Sequence, residues 1–221
     1  MKKILSLALA LVILAVSATA VLAGYTAHDW ALEELEAAYY IGLIPESLEN
    51  ADLTQNITRA EFAAVSVRTY EAITGISPEP VAVNPFTDCS DPYVLKAYAI
   101  GAVNGTSDTT FSPDALLTRE QAATMLTRVF KKVIFEDWTL EHDADFTLTY
   151  QKPAPFADDD KISDYAKESV YFMAAYGIIN GVGGNKFAPR ATTEAEKAAG
   201  YAQATREQAL LIAERMVKKM G

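Results

Sequence analysis

The chain contains very few of the residues that build disulfides, metal centres and catalytic triads, with one cysteine and two histidines among 221 residues. Because Cys89 is alone, it cannot form a disulfide within the chain or a thiolate metal site. His28 and His142 share no ligand spacing, so we expect neither a zinc site nor a histidine-based triad. We interpret Cys89 as a small buried apolar residue. The alternative is a reactive thiol.

Cationic residues are also scarce, because 19 Lys and Arg stand against 29 Asp and Glu and give a formal net charge of −10 at pH 7. Phosphate backbones and anionic lipid head groups repel such a chain. We therefore expect no nucleic-acid partner and no binding to a membrane surface. An anionic ligand can be bound only where arginines outweigh the global charge locally.

Long apolar runs are confined to the N-terminus. Met1-Lys2-Lys3 precedes an apolar run from Ile4 to Val16, and Val21-Leu22-Ala23 offers small residues for cleavage. This order is typical of a secretory signal peptide. We predict that residues 1–23 are removed, with cleavage after Ala20 as the alternative. The mature chain is then exported, with no segment of membrane-spanning length.

A short motif occurs three times, as Thr58-Arg59-Ala60-Glu61, Thr118-Arg119-Glu120-Gln121 and Thr205-Arg206-Glu207-Gln208. In each copy a Thr stands three residues before Glu or Gln, and an apolar stripe at helical spacing follows. This pattern predicts a capping box at the start of a helix. The Arg takes the first helical position, where the helix dipole gives a cation no benefit. The three arginines are therefore candidates for ligand binding. The alternative is that each packs its stem on a neighbour.

The repeats extend beyond this motif. The second and third copies share a Pro-Phe-x-Asp start, a helical stretch ending at Gly, another Gly four residues later, and Phe-x-Pro. These residues are Pro85–Asp88, Gly101, Gly105, Phe111 and Pro113, then Pro155–Asp158, Gly177, Gly181, Phe187 and Pro189. The first copy has a helical stretch ending at Gly42 but lacks the second Gly and the Phe-x-Pro. Units of this size cannot bury their faces alone, so we predict an all-α fold of three helix–loop–helix repeats around one shared core.

We divide the chain by these patterns. The units are a signal peptide at 1–23, a first repeat with a degenerate loop at 24–75, a second repeat at 84–132, an inter-repeat excursion at 133–152 and a third repeat at 153–221. An insertion near 192–202 in the third repeat is rich in Ala and Glu and predicts a short helix. The first helix of the second repeat should be one to two turns shorter than that of the third. Within the excursion, 146–150 predicts a short strand.

The Phe-x-Asp start, the Gly-x-x-x-Gly loop with its Phe-x-Pro, and the Thr-Arg helix start resemble the S-layer homology repeat. Three tandem copies behind a signal peptide resemble its usual arrangement, and the resemblance covers nearly all of the mature chain. It implies a pseudo-threefold, all-helical prism with grooves between neighbouring repeats. It also implies a secreted, non-enzymatic, cofactor-free protein of the cell wall or surface layer. Its partners would be a secondary cell-wall polysaccharide, often recognised at a pyruvylated sugar, and possible further surface-layer proteins.

The resemblance also implies the groove residues. They are Arg59, Arg119 and Arg206, with Asp29, Trp30, Asp164 and Tyr165 from the first helices and Gly105 and Gly181 beside the sugar. A pyruvyl ketal offers a carboxylate that Arg binds in a bidentate manner. The three helix N-termini are expected to supply further amides to the anion. Because each helix is capped without its Arg, an Arg→Ala change should alter the free energy of unfolding by about 0.5 kcal/mol or less.

Two other functions remain open. The carboxylates of Asp158-Asp159-Asp160 suit an enzyme acting on wall glycan, or a calcium site. However, an acidic cluster before a helix is usually solvated N-terminal charge, and no segment is left over for a catalytic domain. We therefore predict no catalytic residue and no metal site. A scaffold that binds proteins or forms a surface lattice would instead self-associate without polysaccharide affinity.

Overall fold

A computed structural model describes residues 21–220, and the regular elements within them are helices. They are α1 (Leu32–Tyr40), α2 (Arg59–Thr74), α3 (Pro92–Ala99), α4 (Arg119–Ile134), α5 (Asp164–Ala175), α6 (Glu194–Ala198) and α7 (Arg206–Met220). Short 3-10 helices lie at Asp29–Ala31, Glu46–Leu48, Leu140–Asp145 and Asp159–Lys161. The predicted all-α class is confirmed for this part of the chain.

The three long helices α2, α4 and α7 begin at the repeated motif. The Thr58 hydroxyl accepts a hydrogen bond from the Glu61 amide, and the Glu61 carboxylate accepts one from the Thr58 amide. The same reciprocal pair is made by Thr118 with Gln121 and by Thr205 with Gln208. The predicted capping boxes are therefore confirmed, and they fix where each long helix starts.

Local signals also set the ends of the first helices. The glycines that follow α1, α3 and α5 have φ values of +73°, +74° and +65°, in the left-handed region that favours glycine, and are Gly42, Gly101 and Gly177. Helix α3 has 8 residues and α5 has 12. The difference is about one helical turn, as predicted.

The residues directly before the three capping threonines form a closed ring of backbone hydrogen bonds. The Ile57 amide donates to the Ala204 carbonyl at 2.9 Å, the Leu117 amide to the Ile57 carbonyl at 3.0 Å, and the Ala204 amide to the Leu117 carbonyl at 3.1 Å. All three residues are buried. The ring therefore holds the starts of α2, α4 and α7 together inside the protein.

The helices pack in a regular order around this ring. Helix α2 packs against α3, α4 against α5, and α7 against α1, so each long helix contacts a first helix of another segment. Helix α2 also packs against α4 and α7. Apolar stripes of the long helices supply much of the core, including Phe62, Val65, Leu126, Val129, Ala213 and Met216. Segments far apart in sequence thus share one core, as the repeat pattern predicts.

The structure confirms one of the two predictions made for the excursion 133–152 and the insertion near 192–202, and it contradicts the other. Residues 146–150 form no strand; instead the Leu148 amide donates to the Glu168 carboxylate and the Tyr150 hydroxyl donates to the Glu168 carbonyl. The predicted strand is therefore wrong, because these residues pair with a helix rather than with another strand. The insertion contains α6, which is capped by Thr193 and Glu196, so the predicted short helix is confirmed.

Most of the predicted signal peptide, residues 1–20, lies outside the described residues. Leu22 lies within them and belongs to the buried core. Cleavage after Ala23 would remove this core side chain, whereas cleavage after Ala20 would keep it. Between residues 21 and 220, no helix is both long and apolar enough to cross a lipid bilayer.

Candidate functional site

In the second and third segments, a carboxylate from the Phe-x-Asp start holds the loop that follows the first helix. The Asp88 carboxylate accepts hydrogen bonds from the amides of Phe111 and Ser112, both at 2.8 Å. These bonds hold the pKa of Asp88 below its usual range. In the third segment, Asp158 accepts at 2.8 Å from the amides of Phe187 and Ala188. This Asp is therefore a structural residue in both segments.

The acidic cluster 158–160 is accounted for in the same way. Asp158 is buried beneath its loop, and Asp159 accepts hydrogen bonds from Tyr171 at 2.6 Å and Lys167 at 3.3 Å. Only Asp160 of the three is exposed. Within residues 21–220, no group of three or more His, Cys, Asp and Glu is arranged to hold a metal ion. The geometry gives Asp158 and Asp159 structural roles, so the description of solvated charge fits only Asp160.

The repeated arginines bind the same loops from the other side. Arg59 Nε donates to the Phe111 carbonyl and Nη2 to the Asn104 carbonyl, both at 3.1 Å. Its guanidinium also lies 4.8 Å from the centroid of the Phe111 ring. The equivalent partners of Arg119 are the carbonyls of Phe187 and Asn180 and the ring of Phe187. Each of these arginines therefore fastens the loop of the following segment.

This geometry corrects the expectation that an Arg→Ala change would be nearly neutral for stability. The expectation considered only the helix start, which its Thr and its Glu or Gln cap without the Arg. Arg119 is 8% exposed, and burial lowers its pKa to about 10. Its two hydrogen bonds are made to carbonyls that lie 61 and 68 residues further along the sequence. Local capping arguments could not anticipate contacts at that distance.

The helix N-termini offer no free amide to a ligand at their first three positions. In α2, the first two amides donate to the carbonyls of Ala115 and Pro113 at 2.9 and 3.0 Å, and the third donates to the Thr58 hydroxyl. The equivalent carbonyls belong to Ala202 and Pro189 for α4 and to Gln55 and Leu53 for α7. The expectation that these amides bind an anion is therefore wrong. The starts of the three long helices therefore supply no anion site of their own.

Arg206 is neutralised within the protein. Its Nη2 and Nε donate to the two carboxylate oxygens of Glu61 at 2.6 and 3.2 Å, and its Nη1 donates to the Asp52 carbonyl at 3.0 Å. A bidentate pair of this kind is what the carboxylate of a ligand would form with an arginine. The charge of Arg206 is therefore balanced by Glu61 within the protein.

A second arginine recurs nine residues after the first in every long helix, as Arg68, Arg128 and Arg215. Arg68 pairs with Glu71 at 3.1 Å, and Arg215 pairs with both oxygens of Glu34 at 2.6 and 2.7 Å. The Arg128 side chain makes no ion pair or hydrogen bond with any residue from 21 to 220. The equal spacing is a sequence signal that lies outside the four-residue capping motif, and for that reason Arg128 was not among the predicted ligand residues.

Arg59 and Arg128 line one cavity of about 340 Å³, which we call the arginine cavity. Its lining residues come from α2, the loop after α3, α4 and α5, and are Arg59, Val103, Asn104, Gly105, Thr106, Gln121, Thr124, Met125, Arg128 and Tyr165. Burial lowers the pKa of both guanidinium groups, and the charge of Arg128 lowers that of Arg59 further. Arginine nevertheless stays protonated at neutral pH. Two cations in a partly desolvated cavity favour an anionic ligand.

Tyr165 provides an aromatic wall. Its side chain is 59% exposed, and its hydroxyl donates to the Glu120 carboxylate at 3.3 Å. Burial and the charge of Glu120 raise the pKa of Tyr165 to about 12. Glu120 is itself buried and accepts hydrogen bonds from the Ser163 amide and hydroxyl, both at 2.9 Å. The ring is thus held at one end while much of it remains open to a ligand.

Of the nine predicted ligand residues, the cavity brings together Arg59, Gly105 and Tyr165. Asp29, Trp30 and Asp164 are exposed and do not line this cavity. The Trp30 ring stacks on the His28 ring, with 6.2 Å between the two ring centroids. Close packing explains both loop glycines without any ligand. A Cβ on Gly105 would lie 2.3 Å from the Ser107 carbonyl oxygen, and one on Gly181 would lie 2.6 Å from the Lys186 carbonyl oxygen.

The family model of the S-layer homology domain matches residues 85–123 and 155–193. These matches fall in the second and third helix–loop–helix segments and confirm the resemblance there. The matched residues do not include 24–75. S-layer homology domains are binding modules that recognise cell-wall polymers.

Three curated proteins are similar to about half of this chain. An amylopullulanase of Thermoanaerobacterium thermosulfurigenes is 34% identical over 110 residues, covering 47% of this chain and 6% of the relative. The exoglucanase XynX of Acetivibrio thermocellus is 29% identical over 110 residues, covering 47% of this chain and 10% of the relative. An endoglucanase of Bacillus sp. (strain KSM-635) is 31% identical over 124 residues, covering 52% and 13%. This chain thus spans a small part of each relative, and their enzyme names say nothing about catalysis here.

Proposed function

We propose that this protein anchors non-covalently to the bacterial cell wall by binding a carboxylate-bearing, pyruvylated sugar of a secondary cell-wall polysaccharide in the arginine cavity. The two S-layer homology repeats support a place at the cell surface. The observation that carries the proposal is the pair of guanidinium groups, Arg59 and Arg128, which face one cavity with no carboxylate among its lining residues. A ligand carboxylate would supply the missing charge.

The chemistry of the cavity suits such a sugar. Arg128 has its whole guanidinium fork available and can bind a carboxylate through two parallel hydrogen bonds. Arg59 contributes charge while its Nε and Nη2 hold the loop. The Tyr165 ring offers an apolar face to the C–H surface of the sugar. The side chains of Asn104 and Thr106, both exposed, can bond its hydroxyl groups.

We further propose that residues 24–75 form a third repeat of the same kind, so that three repeats make a pseudo-threefold prism. The closed ring through Ile57, Leu117 and Ala204 supports this arrangement. The first segment has no carboxylate that holds its loop as Asp88 and Asp158 do in the other two. Backbone atoms make the corresponding contacts instead. The Thr26 amide donates to Ala51 at 3.4 Å, and the Leu53 amide donates to Thr26 at 2.8 Å. These backbone bonds join the start of the first segment to its loop.

The three grooves of such a prism would be unequal. In the groove at Arg206, the position for a ligand carboxylate is taken by Glu61. In the arginine cavity the corresponding position in α4 is Gln121, which carries no charge. We therefore expect the arginine cavity to bind the anionic sugar and the Arg206 groove to be self-occupied.

Changing Glu61 to Gln should open the Arg206 groove. Glutamine already caps α4 and α7 at this position, so the helix start should be preserved. We expect the number of pyruvylated monosaccharides bound per chain, measured by isothermal titration calorimetry, to rise by one. Glu46→Gln, which removes an exposed carboxylate elsewhere in the first segment, should leave the stoichiometry unchanged. A folded Glu61→Gln protein with unchanged stoichiometry would contradict self-occupation.

The function itself is tested by sedimenting the mature chain with wall sacculi before and after the secondary polysaccharide is stripped away. We expect binding to intact sacculi, release of unaltered protein by denaturant, and loss of binding after stripping. Equal binding to stripped sacculi would exclude the polysaccharide as ligand. Release of sugars or peptides would indicate an enzyme, and self-association without sedimentation would indicate a scaffold.

A further inference from the structure

A second cavity of about 490 Å³ adjoins the arginine cavity. The two share the lining residues Val103 and Asn104, so they lie on either side of the same stretch of loop. Both volumes fall in the range of roughly 300–1,000 Å³ that is usual for small-molecule sites. Asn104 is exposed, and its backbone carbonyl is fixed by Arg59 at 3.1 Å. A ligand that fills one cavity can therefore continue into the other across Asn104.

One wall of this second cavity is the excursion 133–152, and it is rigidly held. The Trp138 indole Nε1 donates to the Asp143 carboxylate at 2.8 Å, and the Lys131 ammonium donates to the same oxygen at 2.9 Å. Lys131 also bonds Glu168 of α5 at 3.2 Å. Trp138 is 1% exposed, so its burial fixes the segment that carries the lining residues from 138 to 141. The wall is therefore formed before any ligand binds.

Four polar side chains lining the cavity have no hydrogen-bond partner within residues 21–220. They are the hydroxyls of Tyr98 and Thr139, the ammonium of Lys132 and the carboxylate of Glu141. Together they offer donors and an acceptor to a ligand. Because Lys132 and Glu141 carry opposite charges, an anionic ligand would be attracted by one and repelled by the other. Neutral hydroxyl groups can bond to both.

We propose that this second cavity is a subsite for an uncharged, hydroxyl-rich sugar joined to the charged sugar in the arginine cavity. The protein would then recognise at least a disaccharide unit of the wall polysaccharide. This inference rests on the proposed function of the arginine cavity. The excursion lies outside the segments 85–123 and 155–193 that match the S-layer homology domain. The second segment supplies Tyr98 and Lys132 to this cavity, and the excursion adds Glu141 from outside the matched residues.

The test compares two probes by titration calorimetry with the whole mature chain. One is the methyl glycoside of the pyruvylated sugar, and the other is a disaccharide, released from the wall polysaccharide, that carries the same sugar. We expect the disaccharide to bind about tenfold more tightly, the effect of one charge-assisted hydrogen bond. Lys132→Ala should remove most of that advantage and leave the affinity for the methyl glycoside unchanged. Lys219→Ala makes the same charge change beside a different cavity and should alter neither affinity.

The outcomes separate the two proposals. Equal affinity of the wild-type chain for both probes would overturn the subsite and leave the arginine cavity in place. An equal loss of affinity for both probes in Lys132→Ala would also overturn it, because the charge would then act generally. Binding of neither probe would overturn the proposed function and the subsite with it. If Lys132→Ala misfolds, Glu141→Ala supplies a second comparison, because it removes the charged acceptor of this cavity at an exposed position.

Discussion

Replacing Arg128 by methionine is expected to lower the affinity for a pyruvylated sugar about ten- to a hundredfold. The loss corresponds to charge-assisted hydrogen bonds worth about 1.5–3 kcal/mol to a carboxylate. The unfolding free energy should change little, because the Arg128 guanidinium has no partner within residues 21–220 and methionine retains an apolar stem for packing. Titration calorimetry and thermal unfolding of the same samples measure the two quantities separately. Arg128→Lys should recover part of the affinity, since an ammonium lacks the planar fork.

Arg215 provides the matched control for this change. It occupies the same position in α7 but already holds both oxygens of Glu34. Arg215→Met should therefore leave the affinity for the sugar unaltered while removing an internal ion pair. If Arg128→Met binds the sugar as tightly as the wild-type protein, the arginine cavity is not the binding site.

Replacing Arg119 by methionine is expected to lower the free energy of unfolding by about 3 kcal/mol. Two charge-assisted hydrogen bonds to the Phe187 and Asn180 carbonyls would be lost, and the buried Phe187 carbonyl would lose its partner. For a domain of this size the melting temperature should fall by roughly 6–12 °C. Calorimetric and denaturant-induced unfolding of the purified protein would measure the change.

Arg59 is the comparison for this stability effect, because it makes the same two bonds from a more exposed position. Arg59→Met should cost about half as much stability as Arg119→Met, since solvent can hydrate the carbonyls left behind. Arg59→Met should also weaken sugar binding, whereas Arg119→Met should act through the folding of the third segment. A melting temperature for Arg119→Met within about 2 °C of the wild type would mean that the guanidinium does not support the loop.

The parts of this fold that could be predicted from sequence are those set by neighbouring residues. The capping boxes depend on side chains three residues apart, and Gly42 and Gly177 end helices through their own φ preference. The helical class, the short insertion helix and the shorter α3 follow from such signals. The failed strand at 146–150 shows the limit of this reasoning. Alternating residues form a strand only when another strand is available, and here they bond to Glu168.

The candidate site was predicted less completely because its geometry depends on contacts between distant segments. The sequence indicated Arg59, Gly105 and Tyr165 but not which of the three arginines has its charge free for a ligand. That difference depends on Glu61 reaching Arg206 across 145 residues. The nine-residue spacing to Arg128 could have been found by comparing the long helices position by position. The importance of Arg128 becomes clear only from the structure. There, Arg68 and Arg215 each pair with a carboxylate, whereas Arg128 pairs with none within residues 21–220.

The ring of backbone hydrogen bonds has a consequence for how the chain reaches its native state. Its closure requires Ala204 to meet Ile57 and Leu117, so the ring cannot form until the third segment has been synthesised. Contacts of such long sequence separation form slowly, because closing the long loop between them costs conformational entropy before the contacts can stabilise the chain. The protein should therefore fold in one late cooperative step, and a chain truncated before residue 204 should remain open to proteases along its entire length. Unlike an open repeat array, which can grow by adding units at its ends, a closed ring also fixes the number of its members.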